Sequence, residues 1–205
     1  VRQTLKDYIE SKVQVRYQTD GGEEVGLFSD IYNEDRMIMG YNEKYLMKNI
    51  VDTIVKPYGS LLSIGYGLGY FDKWSWKLGV NSHHIIECHP DVIKNIDEDG
   101  IGNLKSITIH KDIWQNVIPK MIDSGMTFDC VWFDTYIFTK EDIKDEWYRF
   151  SEICQPLVSD GGKISFFTDF PKLDIIPTLK NNLKNFKLTE TIIPDTYEFL
   201  YWENK

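Results

Sequence analysis

Leu61-Leu62-Ser63-Ile64-Gly65-Tyr66-Gly67-Leu68-Gly69-Tyr70-Phe71 is a short apolar run that ends in three alternate glycines and passes into an aromatic, helix-compatible segment. A strand leading through a glycine turn into a helix is how α/β proteins bring backbone close to a nucleotide-like ligand. Glycine serves there because a Cβ forbids positive φ angles and blocks close approach. Downstream, His84-Ile85-Ile86-Glu87 reads as a second short strand ending in a carboxylate. It lies roughly 20 residues beyond the glycines, where such folds place an acid on the ribose. A carboxylate can accept charge-assisted hydrogen bonds from vicinal hydroxyls. Turn and acid together specify an adenosine moiety more closely than either alone.

At 205 residues the chain fits one domain able to bury its own core. A hydrophobic content of 42% with 27% charged residues is that of an ordinary soluble globule. Net charge of -9 argues against nucleic acid as partner, since phosphate binding rests on lysine and arginine. Cys88, Cys130 and Cys154 are widely spaced and form no Cys-x-x-Cys, so reduced, mostly buried thiols in a cytoplasmic protein are expected. His83, His84, Cys88 and His89 resemble a metal cluster on paper, but side chains along one strand alternate faces, so no metal is expected. Without an apolar run of ~18 residues or a leader pattern, neither a membrane span nor secretion is expected.

Residues 1–40 read as an N-terminal arm or lid, with Val13, Val15 and Tyr17 alternating as a strand before Asp20-Gly21-Gly22. Residues 41–205 form the main domain. Its expected elements begin with a helix from Asn42 to Val55, the glycine-turn strand, and a helix from Phe71 to Leu78. The His84–Glu87 strand is followed by a helix started by Pro90, then by the strand Ser106–His110, closed by Lys111 to Trp114. Phe128 to Asp134 is nearly continuous in apolar residues, as in a central parallel strand. A helix from Glu141 to Ile153, a turn at Asp160-Gly161-Gly162, the strand Lys163–Thr168, and a loop and helix from Pro171 to Asn185 follow. Lys187–Ile193 and Tyr197–Trp202 close the chain as strands joined at Pro194-Asp195, with no helix between them, so they should pair antiparallel. The fold class is α/β: a mostly parallel seven-stranded sheet with a C-terminal antiparallel hairpin and helices on both faces.

Leu62-Ser63-Ile64-Gly65-Tyr66-Gly67, His84-Ile85-Ile86-Glu87-Cys88, Asp112-Ile113-Trp114 and Phe133-Asp134-Thr135-Tyr136 together resemble guanidinoacetate N-methyltransferase and fungal-type arginine N-methyltransferase, members of the Rossmann-like class I S-adenosylmethionine-dependent methyltransferases. The similarity runs from about Met37 to Trp202. It implies S-adenosyl-L-methionine as cofactor, with S-adenosyl-L-homocysteine as product. Gly65, Tyr66, Gly67 and Leu68 would wrap its methionine part and Glu87 its ribose. Cys88 and His89 would lie beside the adenosine, Asp112, Ile113 and Trp114 around the adenine, and Asp134 would meet the acceptor nitrogen with Tyr136 nearby.

Such chemistry requires a carboxylate. A guanidinium has no useful lone pair while protonated, and its pKa exceeds ~12. An acid at its amino groups can orient it, accept the proton and stabilise the charge passing to nitrogen. A strand-end acid can also simply cap the following turn; Thr135-Tyr136 beside Asp134 favours the chemical role. The family carries a second substrate carboxylate in a Trp-Glu-x-Pro-Tyr block. The matching run here is Tyr41-Asn42-Glu43-Lys44-Tyr45, so Asn42 stands at the glutamate position with Glu43 next door. Trp74, Trp76, Trp132 and Trp147 read as core or helix-packing residues, while Tyr41, Tyr45, Tyr136 and Phe170 are alternative pocket residues. The expected activity is N-methylation of a small guanidino compound or related amine or amide nitrogen. Competing readings are an arginine methyltransferase on a peptide or protein, a non-catalytic cofactor-binding module, and an NAD-dependent oxidoreductase. The expected partner is a small-molecule or short-peptide methyl acceptor, with no nucleic acid and no membrane; a homodimer is compatible.

Overall fold

The computed structural model describes residues 3–17, 24–136, 139, 142, 144–167, 176–193 and 197–205. Asp20-Gly21-Gly22, Phe170, the loop from Pro171 and Pro194-Asp195 lie outside them, as do Glu141 and Thr168 at the ends of their expected elements. Strands β4 (Ser60–Ile64), β5 (Ser82–Glu87), β6 (Ile107–Lys111), β7 (Phe128–Phe133), β8 (Val158–Phe166), β9 (Phe186–Ile193) and β10 (Tyr197–Asn204) build the main sheet. Their order is β6-β5-β4-β7-β8-β10-β9. The pairings of β4 with β5 and β7, of β5 with β6, and of β7 with β8 are parallel. The last strand inserts between β8 and β9 and pairs antiparallel with both.

The period of two along each strand sends side chains to opposite faces. Leu61, Ile85, Cys130 and Trp132 face one layer, which holds Ile50 of α2 (Glu43–Ile54), Phe71 of α3 (Tyr70–Leu78) and Val92 of α4 (Pro90–Glu98). Leu62, Ile86, Val131 and Phe133 face the other, with Ile118 of α5 (Trp114–Asp123), Phe150 of α6 (Arg149–Ile153) and Leu179 of α7 (Ile176–Asn182). Trp132 stacks on Phe71 at 4.7 Å and Phe133 on Phe150 at 4.2 Å between ring centroids. Burial of a large apolar side chain contributes about 1.5–3 kcal/mol, so β7 is anchored from both sides.

Helix α5 was not legible in the sequence, where Lys111 to Trp114 only closed a strand. Pro119 lies inside it, and an interior proline lacks an N–H and normally breaks a helix. Trp114, Val117, Ile118 and Met121 are all buried at helical spacing, and that packing offsets the missing hydrogen bond. The expected turn at Asp160-Gly161-Gly162 is a bulge within β8. Phe128 pairs with Val158 but Cys130 with Lys163, so β8 must loop out its surplus residues, and Gly161 takes φ +71° there.

The N-terminal segment holds more structure than the single strand expected. Helix α1 (Gln3–Glu10) precedes an antiparallel sheet of β1 (Val13–Tyr17), β2 (Glu24–Ser29) and β3 (Arg36–Gly40). It is tied to α4: Val13 N donates to Asp91 Oδ2 at 2.9 Å, and the His89 ring meets Ser11 O at 3.1 Å. Trp132 and Trp147 are core residues as expected, whereas Trp76 is 44% exposed. The histidines disperse: His83 bonds Asp72, His84 meets His110, and His89 caps α4. All three cysteines are free, Cys130 and Cys154 being buried. Among the described residues no helix is long and apolar enough to cross a membrane.

Candidate functional site

Chain reversal between β4 and β7, which sit side by side although β5 and β6 intervene in sequence, opens a crevice at the carboxyl ends of these strands. The glycine turn forms its floor. Gly65 N donates to Ile86 O and Asp134 N donates to Ile64 O, each at 2.9 Å, so three strand ends are laced together. Gly65 has φ +88°, and a Cβ on it would collide with the carbonyl oxygen of Asp134. Gly67 has φ +56°, with the Met39 thioether packed against it. The resulting cleft holds about 740 Å³, open solvent included.

Most of the expected site residues meet in this cleft. Gly65, Tyr66 and Gly67, Glu87 and Cys88, Asp112 to Trp114, and Asp134 with Tyr136 all line it. Four do not. Leu68 is buried with its N–H at 3.3 Å from Met39 Sδ. His89 is fully buried, its Nδ1 accepting from Asp91 N at 3.1 Å. Asn42 is exposed beside the start of α2, and Glu43 turns back to accept Gly40 N at 2.6 Å. Tyr41 and Tyr45 are exposed and outside the lining as well.

Glu87 is first of all part of the turn. Its Oε2 accepts Tyr66 N at 3.0 Å, and Oε1 accepts Cys88 N and His89 N, both at 2.8 Å. Of the roughly four acceptor sites on a carboxylate, one is left for a ligand hydroxyl. Burial pushes this carboxyl above its ordinary range, outweighing the three backbone donors that pull it down. The folded protein therefore binds this proton more tightly than the unfolded chain. The stability it contributes is complete at low pH and is lost as pH rises from 4.5 through the higher folded value. The Tm of the native chain should thus decline as pH rises across that window, relative to that of Glu87→Gln. Parallel pH profiles for the two proteins would show no such mildly acidic effect on the reading.

Several lining residues were missed in the sequence. Leu5 and Tyr8 of α1 close one wall, the Tyr8 ring lying 4.7 Å from that of His89 and 6.4 Å from that of Tyr136. Their spacing of three on a helix was the available signal. Ile38 and Met39 arrive on β3, and Glu146 on a π-helical turn, Lys144–Tyr148. No local pattern marks any of these, because the tertiary fold alone brings them to the crevice.

Sheet order, an inserted final strand and a glycine-floored cleft at the switch point define a Rossmann-like methyltransferase fold. One solved structure of this fold, that of SMU.776 complexed with SAH, superposes with a TM-score of 0.64 at 9% identity, covering 82% of this chain and 52% of that one. The model of the guanidinoacetate N-methyltransferase family matches residues 31–198, and the chain belongs to that family. Among curated relatives, protein arginine N-methyltransferase 2 of Aspergillus oryzae is 34% identical over 107 residues, 52% of this chain and 25% of the relative. The protein of the same name from Candida glabrata is 34% identical over 140 residues, 66% of this chain and 33% of the relative. The chain thus spans a quarter to a third of the length of these relatives.

Proposed function

We propose that this chain is an S-adenosylmethionine-dependent N-methyltransferase acting on a guanidino nitrogen, carried by a small guanidino compound or by arginine in a peptide. The observation that carries this reading is the convergence of the Gly65–Gly67 turn, Glu87 and Asp134 on one crevice. A cradle whose floor a Cβ would fill, next to a buried acid, suits an adenosyl ligand with an amino-acid tail. Gly65 and Gly67 would hold the methionine part, Glu87 a ribose hydroxyl, and Asp112, Ile113 and Trp114 the adenine. The cofactor supplies an electrophilic sulfonium methyl when bound. Asp134 orients the acceptor and takes its proton as the nitrogen lone pair becomes available. Cationic acceptors also suit a protein of net charge -9.

Residues 1–40 act as an arm over the site, a role supported by Leu5 and Tyr8 on the cleft wall. The arginine-directed names of the relatives support arginine in a peptide as an acceptor beside small guanidines. The test is twofold. Calorimetry with S-adenosylhomocysteine should give saturable heat, while NAD should not compete. Labelled cofactor should then pass its methyl to guanidinoacetate, free arginine or an arginine peptide. Binding without transfer to any of these would leave a non-catalytic module.

A further inference from the structure

Among the described residues, the glycine turn is fastened twice over. One fastening comes from residues that line the cleft: Tyr66 N donates to Glu87 Oε2 at 3.0 Å, and the Leu68 N–H meets Met39 Sδ at 3.3 Å. The other comes from two residues that do not line it, Lys73 of α3 and Asp99. The Tyr66 hydroxyl donates to Asp99 Oδ2 at 3.0 Å, and Lys73 Nζ donates to Leu68 O at 3.1 Å. Lys73 and Asp99 are themselves paired, Nζ to Oδ2 at 2.7 Å. One carboxylate oxygen thus receives both the hydroxyl and the ammonium, and through them reaches two residues of the turn.

The chain makes room for this contact. Tyr66 is 2% exposed, and a Cβ on Gly69 would collide with its ring. Burial, followed by the nearby carboxylates of Asp72 and Asp99, pushes the Tyr66 phenol well above its ordinary range, so it stays a donor. Asp99 caps the carboxyl end of α4 directly after Asp97 and Glu98, where the negative pole of the helix dipole disfavours an acid. That last turn holds no basic residue, so Lys73 supplies the compensating charge from α3. With side chains 37% and 35% exposed, the ion pair adds little stability of its own. What it fixes is the direction of the carboxylate toward Tyr66.

We propose that Asp99 is a positioning residue for the cofactor turn, acting through the Tyr66 hydroxyl and held in place by Lys73; this rests on the methyltransferase reading above. A turn that meets its ligand with backbone has no side chains to readjust, so its affinity depends on being held in the bound shape beforehand. Glu87 fixes the Tyr66 N–H, and Asp99 fixes the phenol of the same residue. The main chain of Tyr66 therefore serves the cleft, while its side chain anchors the turn to α4.

The test is calorimetry with S-adenosylhomocysteine on the whole chain, at a temperature where each protein is folded. Asp99→Ala and Tyr66→Phe should each weaken binding about fivefold. Combined, they should still cost about fivefold, not the ~25-fold of independent effects, because both remove one bond. Asp99→Asn keeps an oxygen for the hydroxyl and should restore affinity to within about twofold of the native value. A residue that only stabilised the fold would lower the urea midpoint and leave the affinity of the folded protein unchanged, and that result would overturn the proposal. Additive losses, or Asp99→Asn binding no better than Asp99→Ala, would overturn it as well. If Tyr66→Phe failed to fold, the comparison of the two Asp99 variants would still decide. Absence of binding by the unaltered chain would remove the methyltransferase reading and the anchor together, whereas native-like binding by Asp99→Ala would remove the anchor alone.

Discussion

Asp134→Asn is expected to slow methyl transfer by about 10²–10⁴-fold, while S-adenosylhomocysteine still binds with nearly its original affinity. The backbone of Asp134 is fixed by its N–H bond to Ile64 O, so the amide should keep the same place. Only the charge and the proton-accepting oxygen disappear. The loss should therefore fall on turnover, and single-turnover assays with saturating acceptor would separate it from weaker acceptor binding. Retained turnover would remove Asp134 from the proposed chemistry.

Gly65→Ala is expected to be the most disruptive small change in the molecule. The new methyl would meet the carbonyl oxygen of Asp134, which is backbone and cannot swing aside, at a φ of +88°. The cost should exceed ~3 kcal/mol in urea unfolding, with cofactor-product binding lost as well. Gly161→Ala is the matched control: φ there is +71° but nothing lies within 4 Å of the added methyl. Only the left-handed backbone penalty of about 1–2 kcal/mol should remain. Similar losses at the two positions would show that conformation alone, and not the contact with β7, governs the turn.

The contrast between these glycines also marks how far local sequence reaches. Gly65 and Gly161 both take positive φ, yet of these two only Gly65 sits where three strand ends meet. Likewise Asn42 and Glu43 fall at a family position, but the geometry of α2 leaves Asn42 in solvent and folds Glu43 back onto Gly40. Helix α5 hid behind Pro119 because its stability comes from a buried face rather than from propensity.

What the sequence by itself determined was the α/β class, the position of the cofactor-type turn, the acid at the end of β5 and the acid at the end of β7. Each is a short-range pattern: an apolar run for a strand buried on both faces, glycine where φ is positive, a carboxylate where a strand stops. Only the tertiary structure decided that the last strand inserts between its two predecessors, that α1 walls the cleft, and that Glu146 arrives beside Thr135. Those placements come from packing between segments remote in the chain, where the energy lies in contacts that no local window of residues contains.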